Sequence, residues 1–385
     1  MQKIFYAMRK MPFIFGKTSD LINFTDREDE IARLEMNFKS LINTMIISPR
    51  RWGKTSLAGI VAEKIRIENK EIKVCMLDIF NVRSEAEFYE HFAKGVLKGT
   101  ASRWEEMVEN AKKFLSHLLP KITFSPDSQA EISFGVGWET LQNNPEEILN
   151  LPETIAKSKK ISVIVCIDEF QAIGDFSESI VFQRKLRAHW QHHHHVGYCL
   201  YGSKRTMLLA IFSEVSMPFY KFGDILFLQK ISNKKWGEFI KKRFEDTRKK
   251  ITSEQAEYLA ELVDNHSYYV QQLAQQAWLR TRTNCSKSII DESLQSIKNQ
   301  LSLLFVGQIE SMAGTQINFL KAVLDGETAF TSQESLKKYR LGSSANIKKI
   351  KNALISREII DISTRKVDIL DPIFKRWLQE DFFNK

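Results

Sequence analysis

The chain has 385 residues, of which 43% are hydrophobic and 27% charged, with a formal net charge of +9. This length is enough for two or three domains with buried cores, and the composition excludes a disordered or fibrous protein. The positive charge is spread along the chain, so it is compatible with an anionic partner without identifying one. No run of about 18 apolar residues is present to span a membrane, so no membrane partner is expected.

The cysteines also indicate a compartment. The chain contains four of them, at Cys75, Cys166, Cys199 and Cys285, with no CxxC pair. Two lie inside apolar runs, where a thiol behaves as a small hydrophobic group. This distribution suits a reducing environment, and we expect a cytoplasmic protein.

Residues 1–230 are predicted to form an α/β core. Five short apolar segments alternate with helical patterns, which is typical of a parallel sheet buried on both faces. The segments are TMIIS, KVCMLDIF, SVIVCID, GYCLYGS and DILFLQKI. Between the second and third lies an insertion, about residues 85–159, in which KITFSPDSQAEISFGVGWE alternates apolar and polar residues. This alternation predicts a hairpin flanked by helices.

The pattern then changes to helical periodicity. Residues 231–300 are predicted to form a helical lid domain, and TSEQAEYLAELVDN within it begins with a Thr or Ser cap. Residues 301–385 give three helical segments followed by the short strands IIDIS and VDILD. Three helices and a hairpin are the plan of a winged helix.

The predicted winged helix carries a basic third helix. Lys348, Lys349 and Lys351 lie on it, and Arg365 and Lys366 lie at the hairpin tip. In related folds this helix enters the DNA major groove, so double-stranded DNA is a candidate partner. Against this, residues 301–385 hold 13 Lys and Arg and 10 Asp and Glu, which is not strongly basic. The domain could instead be an intramolecular lock.

The segment MIISPRRWGKTSL, from Met45 to Leu57, combines an apolar run with a turn ending in Gly-Lys-Thr. It matches the strand, phosphate loop and helix of a P-loop NTPase, in which backbone N–H groups converge on phosphate at a helix N-terminus. Lys54 would bridge the β- and γ-phosphates, and Thr55 would offer its hydroxyl to Mg²⁺. The other positions expected around the phosphates are Ser48, Pro49, Arg50, Arg51, Trp52, Gly53 and Ser56. Ser48 stands where the general pattern has its first glycine.

The segment ISVIVCIDEF, from Ile161 to Phe170, is a second apolar strand that ends in two carboxylates. Asp168 is predicted to hold Mg²⁺ through its water shell, and Glu169 to polarise the water that attacks the γ-phosphate. Two carboxylates could instead cap a following helix, but a cap does not account for the apolar strand before them. The pair predicts hydrolysis as well as binding. No guanine-reading Asn-Lys-x-Asp segment is present, so ATP is preferred to GTP.

Together with further segments, these motifs resemble the archaeal-type ATPase family, a branch of P-loop ATPases near the AAA+ and STAND groups. The further segments are FTDREDEIARL, IDEFQ, YGSKRTML, MPFYKFGDILFL, NHSYYVQQLAQQAW, LGSSANIKKIKNAL and ILDPIFKRWL. The resemblance covers nearly the whole chain and implies a P-loop ATPase core, a lid and a winged helix. We expect an ATP-hydrolysing molecular switch in which the nucleotide state repositions the lid and the winged helix, with a protein partner to receive its output. The alternative is a DNA-binding regulator or DNA-maintenance ATPase that uses the winged helix. The sequence also leaves open whether the protein forms a homo-oligomer in which a neighbouring subunit completes each active site.

The resemblance places Phe24 and Arg27 on the adenine side of the nucleotide. The same segment could equally be a plain helix N-terminus capped by Thr25 or Asp26. Both interpretations account for the acidic residues that follow.

The resemblance implies further roles near the γ-phosphate. Ser203, at the end of the strand after Asp-Glu, matches a catalytic sensor residue. His266 in the lid could approach the nucleotide or be a helix-terminal histidine. Lys221 stands where the family usually carries an arginine, and lysine lacks the planar fork that suits phosphate oxygens. Arg50 and Arg51 match a basic pair that could contact phosphate or a neighbouring subunit, or be ordinary exposed arginines.

The run from His192 to His195 raises the question of a metal site, because imidazole is a common metal ligand. Four consecutive histidines cannot all face one ion from regular structure, and no Cys or carboxylate cluster completes a site nearby. We therefore expect an exposed helix end or loop at this position.

Overall fold

The computed structural model of the chain describes residues 11–17, 24–115, 122–125, 131–134, 145–363 and 366–384. These residues form two compact units, and the division lies between Gln229 and Lys230. Residues 11–17 belong to the second unit.

The first unit contains a five-stranded parallel sheet with the strand order β2–β5–β6–β1–β7. The strands of this unit are β1 (Thr44–Ile47), β2 (Ile72–Asp78), β3 (Ile122–Ser125), β4 (Glu131–Phe134), β5 (Ser162–Asp168), β6 (Val196–Gly202) and β7 (Asp224–Phe227). Strands β3 and β4 form a separate antiparallel pair. This pairing confirms the predicted hairpin, whose Pro-Asp-Ser turn lies outside the described residues.

The sheet is buried on both faces, which is why its strands read as nearly continuous apolar runs. On β5, Val163, Val165 and Ile167 belong to one hydrophobic cluster. Ile164 and Cys166, which alternate with them, belong to another. Since successive side chains of a strand point to opposite faces, β5 contributes to two cores.

Helices surround this sheet. They are α1 (Glu28–Lys39), α2 (Lys54–Glu68), α3 (Glu85–Thr100), α4 (Trp104–Phe114), α5 (Pro145–Leu149), α6 (Leu151–Lys159), α7 (Ser179–Trp190) and α8 (Arg205–Ser213), with a 3₁₀ helix at Phe170–Asp175. The apolar sides of α1 and α2 pack in one cluster. The apolar sides of α3, α6, α7 and α8 pack in the other. The result is a three-layer α/β architecture.

The second unit is mainly helical. Its elements are α9 (Asn233–Glu245), α10 (Ser253–Glu261), α11 (Ser267–Arg280), α12 (Lys287–Glu310), α13 (Gly314–Leu324), α14 (Gln333–Lys338), α15 (Ser344–Ser356), β8 (Ile360–Ser363), β9 (Lys366–Ile369), α16 (Pro372–Trp377) and a π-helix at Leu378–Phe382. Thr252 caps α10 in a capping box with Gln255, as the sequence predicts for this segment. Helix α12 is 24 residues long and runs through the predicted lid and winged-helix boundary at residue 300.

One hydrophobic cluster extends through this unit, from Trp236 on α9 to Leu378 in the π-helix. Phe13 also belongs to this cluster, where it is 1% exposed. Its ring contacts those of Phe239 and Phe244. Its carbonyl oxygen accepts a hydrogen bond from Gln275. The predicted core of 1–230 included Phe13, whereas the structure buries it with the second unit.

Among the described residues, no helix combines the length and the apolar content that a membrane span requires. All four cysteines are free and buried.

Candidate nucleotide site

The loop between β1 and α2 ends at Gly53, which is the N-cap of α2 with φ +89°. This left-handed conformation favours glycine. Gly53 has no side chain to cap α2, so it provides no acceptor for the backbone N–H groups of the first turn. Such an N-terminus favours an anion. Ser48 at the start of the loop does not have a positive φ, so this position does not require glycine.

Lys54, the first residue of α2, is 5% exposed. Its Nζ donates hydrogen bonds to the carbonyl oxygens of Pro49 at 3.0 Å and Ser48 at 3.4 Å. The Ser48 hydroxyl donates to the same Pro49 oxygen at 3.1 Å. The ammonium group is therefore held inside the loop that the sequence identified, rather than in bulk water.

The two residues predicted to hold Mg²⁺ contact each other directly. Thr55 Oγ1 donates to Asp168 Oδ2 at 2.6 Å. The backbone N–H of Glu169 donates to Asp168 Oδ1 at 2.8 Å. Thr55 lies in the first turn of α2 and Asp168 ends β5, and the two residues are 113 positions apart in the chain. The fold brings both ligand candidates to the carboxyl end of the sheet.

Asp168 is 8% exposed. Burial raises the pKa of its carboxyl group to about 6, against the lowering effect of the hydrogen bonds from Thr55 and the Glu169 N–H. The negative charges of Glu169 and Asp78 raise this pKa further. Among the described residues, no Lys, Arg or His is within ion-pair distance of Asp168. With acids beside it and no cation of the described residues in contact, Asp168 stays a predicted ligand for a metal cation.

Asp78 is a residue that sequence reasoning missed. It ends β2 and is the register partner of Asp168 on β5. Its side chain is exposed and accepts a hydrogen bond from the Phe80 N–H. The signal in the sequence was a carboxylate at the end of an apolar strand, as for Asp168. Its relevance depends on β2 being the neighbour of β5, which the sequence does not reveal.

Glu169 has φ +57°, a left-handed conformation that is unusual for a residue with a side chain. Its Oε2 accepts a hydrogen bond from Ser203 Oγ at 2.9 Å and lies 3.4 Å from the Ser203 backbone nitrogen, which also donates to it. Gln171 Nε2 donates to the same oxygen. The predicted sensor Ser203 thus contacts the predicted catalytic carboxylate, and Gln171 is a second partner that the sequence analysis missed.

Phe24 lies beside the phosphate loop, because a Cβ built on Gly53 would be 3.5 Å from its Cε2 atom. Arg27 is 3% exposed and donates to Glu30 Oε1 and to the Gln229 carbonyl oxygen, each at 2.7 Å. Its guanidinium group therefore ties the start of α1 to the end of the first unit.

The alternative of a cap at Thr25 or Asp26 is wrong. Helix α1 begins at Glu28, and its N-cap is Arg27, without a side-chain capping bond. Asp26 has φ +51°, one position before the N-cap. An adenine contact by Phe24 or Arg27 stays a prediction.

The other predicted residues differ in exposure. Arg50 and Arg51 are exposed, Trp52 is half-buried and Ser56 is 8% exposed. Lys221 is exposed with φ +52°, and its Nζ is 5.3 Å from the centroid of the Tyr220 ring. Roles for these residues in phosphate contact or in trans stay predictions.

His266 belongs to the second unit, where it is the N-cap of α11 and is 8% exposed. Its ring centroid is 5.2 Å from that of Tyr269. The interpretation as a helix-terminal histidine is thus confirmed, while contact with a nucleotide stays a prediction.

The histidine run lies in a turn between α7 and β6. His192, His194 and His195 are exposed, as expected, but His193 is half-buried and forms hydrogen bonds with Tyr198 and Asn150. No group of three or more His, Cys, Asp or Glu that could hold a metal ion occurs in the part of the chain that the structure describes.

The C-terminal residues match a known family in sequence. Residues 304–380 match a model described as a probable winged helix domain. No curated protein matches the chain in sequence.

Solved structures resemble the chain over nearly its full length. A Walker-type ATPase of Pyrococcus abyssi is similar with a TM-score of 0.66 and 15% identity, over 96% of this chain and 100% of that one. The ORC2 protein of Aeropyrum pernix in its ADPNP–ADP complexes is similar with a TM-score of 0.56 and 13% identity, over 95% and 96%. Its ADP form gives 0.50 and 14%, over 92% of each chain.

At these identities the likenesses concern the fold. The predicted parallel-sheet core is confirmed as a fold that these ATPases share, and the C-terminal winged helix is confirmed. The resemblance to archaeal P-loop ATPases that the motifs indicated is confirmed at the same level.

Proposed function

We propose that the protein binds ATP with Mg²⁺ at the carboxyl end of the first unit's sheet and hydrolyses it. One observation carries the proposal: four predicted residues from three distant segments are joined by hydrogen bonds. Thr55 contacts Asp168, the Glu169 N–H contacts Asp168, and Ser203 contacts the Glu169 side chain. These hydrogen bonds connect the first turn of α2, where Lys54 lies, with the end of β5 and the end of β6.

In this proposal the loop amides and Lys54 bind the phosphates, and Thr55 and Asp168 hold the metal. Mg²⁺ bound there would neutralise charge on the phosphate oxygens. The donor set fits this ion, since hydroxyl and carboxylate oxygens are what Mg²⁺ prefers. Glu169 lies next to Asp168 in the chain and would accept a proton from the attacking water. ATP, not GTP, is the proposed nucleotide because no guanine-reading segment is present.

The test is the steady-state ATP hydrolysis rate of the wild type and of Glu169→Gln. Removing a general base costs about 10²–10⁴-fold in rate, and we expect a loss of that size in kcat with ATP binding retained. Glu178→Gln is the matched control, because Glu178 is an exposed carboxylate of the same unit with no capping bond to α7. Equal rates for the wild type and Glu169→Gln would refute the assignment.

The proposal includes a molecular switch, in which ATP and ADP favour different arrangements of the core, lid and winged helix. A nucleotide can shift such an equilibrium only through a difference in its affinity for the two arrangements. Small-angle scattering of Glu169→Gln with ATP and of the wild type with ADP would test it. We expect two distinct profiles, and identical profiles would contradict the switch while leaving hydrolysis intact.

DNA binding is a second candidate, favoured by the surface of α15. This helix contains no acidic residue, and Lys348 and Lys349 are exposed on it. Lys351 is different: its Nζ is 4.9 Å from the Phe330 ring centroid, and burial lowers its pKa. The basic surface therefore consists of two of the three predicted lysines.

Duplex DNA binding at low salt tests this candidate. Lys348→Gln with Lys349→Gln should weaken binding and reduce the slope of log K against log salt by about 2, since each phosphate contact contributes about 0.9. The charge-matched control is Lys337→Gln with Lys338→Gln, two exposed lysines of α14. If both pairs of substitutions weaken binding equally, or if the wild type binds no DNA, α15 is not a DNA reader.

A further inference from the structure

Gln171 lies in the 3₁₀ helix two residues after Glu169 and is 4% exposed. Its Nε2 donates to Glu169 Oε2, and this is its one side-chain hydrogen bond within the described residues. Its Oε1 is buried without a hydrogen-bond partner. Leaving a buried polar atom unpaired costs about 1–3 kcal/mol, so an apolar side chain of equal length would suit the fold better. Stability does not explain a glutamine at this position.

The end of β6 leaves room for this amide. A Cβ built on Gly202 would lie 1.8 Å from Gln171 Oε1 and 3.1 Å from Glu169 Cα. Any other residue at 202 would displace Gln171 or the backbone at Glu169. The absence of a side chain at Gly202 thus makes the space that the Gln171 amide occupies beside Glu169.

The two oxygens of Glu169 have different surroundings. Oε2 accepts hydrogen bonds from the Gln171 side chain and from the hydroxyl and N–H of Ser203. Oε1 has no hydrogen-bond partner among the described residues. Donors on one oxygen fix the rotation of the carboxylate, which leaves the other oxygen as the acceptor for an incoming proton.

We propose that Gln171 is a positioning residue that, with Ser203, orients Glu169 so that Oε1 accepts the proton of the attacking water. This inference rests on the proposed ATP hydrolysis. In the step, the water oxygen bonds to the γ-phosphorus, and the bond from that phosphorus to the β–γ bridging oxygen breaks. The bond's electron pair stays on ADP, and one water proton moves to Oε1.

The test substitutes methionine for glutamine, because methionine has the same length and no donor. We expect Gln171→Met to lower kcat about tenfold, as small errors of position cost about 10–100-fold, and to leave the KM for ATP within twofold. Gln183→Met is the matched control. Gln183 is 1% exposed, donates to Ser179 Oγ at 3.0 Å and also has a buried, unpaired Oε1. We expect its substitution to leave kcat unchanged.

A double-substitution cycle separates positioning from a general structural effect. If Gln171 acts through Glu169, then Gln171→Met causes no further loss in a Glu169→Gln background. Thermal unfolding should show that Gln171→Met is at least as stable as the wild type. A kcat within twofold of wild type, or the same fractional loss in both backgrounds, overturns the inference alone. Wild-type turnover that is absent or independent of Glu169 overturns the proposed function as well.

Discussion

Two buried carboxylates of the first unit, Asp168 and Glu153, differ in their position in the fold and in the direction of their pKa shift. Asp168 is 8% exposed and Glu153 is 5% exposed. Asp168 ends β5, whereas Glu153 lies on α6 and contacts His195, the residue before β6. They therefore lie at opposite ends of neighbouring strands in one sheet.

Glu153 finds its charge partners inside the protein. Burial by itself would raise the pKa of its carboxyl group, but hydrogen bonds from the side chain and backbone of His195, from His194 and from Lys157 lower it to about 2. At Asp168, by contrast, burial outweighs the hydrogen bonds from the Thr55 hydroxyl and the Glu169 N–H, and the pKa rises to about 6. The direction of the shift thus distinguishes a carboxylate whose charge hydrogen-bond donors of the fold stabilise from one for which burial outweighs such donors.

The largest expected contrast is in activity. Asp168→Asn removes the carboxylate that would hold Mg²⁺ through its water shell, and we expect ATP turnover to fall about 100-fold, the upper range for residues that act through a metal's outer shell. Glu153→Gln should leave turnover within twofold at 20 °C. Steady-state hydrolysis of both variants measures this. A comparable loss in Glu153→Gln would show that the two ends of the sheet are not functionally distinct.

The two substitutions should have the reverse ranking in stability: Glu153→Gln should destabilise the fold, whereas Asp168→Asn should stabilise it. At pH 7 the folded state strongly favours the ionised form of Glu153, so Glu153→Gln should lower the free energy of unfolding by about 2–3 kcal/mol. At the same pH the folded state disfavours ionised Asp168, so Asp168→Asn should raise it by about 1–3 kcal/mol without nucleotide or Mg²⁺. Urea unfolding of both variants provides the comparison. A loss in both would mean that Asp168 is a structural residue.

The contacts around these carboxylates could be predicted only in part. The sheet strands were predictable because residues such as Val163 and Ile164 fill two cores, and the phosphate loop because Gly-Lys-Thr follows a strand. The contacts of Glu169 with Gln171 and Ser203 depend on β6 being the neighbour of β5. Strand order is set by packing over long sequence distances, so no local pattern contains it.

The same limit applies to the lysines of α15. All three were predicted to lie on the third helix of the winged helix, but Lys351 packs over Phe330, a residue 21 positions earlier in the chain. The periodicity of a helical segment predicts which residues share a face of the helix, but it does not predict which distant residues pack against that face. Arg27 is a similar case, since the Gln229 carbonyl that it binds is 202 positions away.

The pH dependence of stability is a smaller effect with a defined window. The folded pKa of Glu153 is depressed, so its contribution is fully present above pH 4.5 and is lost as the pH falls toward about 2. The folded pKa of Asp168 is raised, so its ionisation removes stability as the pH rises from 3.8 to about 6. We would measure urea midpoints from pH 3 to 7. The fall in stability toward low pH should be reduced in Glu153→Gln, and the fall in stability as the pH rises toward 6 should be reduced in Asp168→Asn. Unchanged slopes would contradict these assignments.

The most direct test of the central claim is equilibrium binding of ATP with and without Mg²⁺. It requires wild type, Asp168→Asn and the equally buried control Glu153→Gln. If the carboxyl end of the sheet is the Mg²⁺·ATP site, Mg²⁺ tightens ATP binding about tenfold or more in wild type and Glu153→Gln, and much less in Asp168→Asn. An equal effect of Mg²⁺ on all three proteins would place the metal elsewhere and contradict the account.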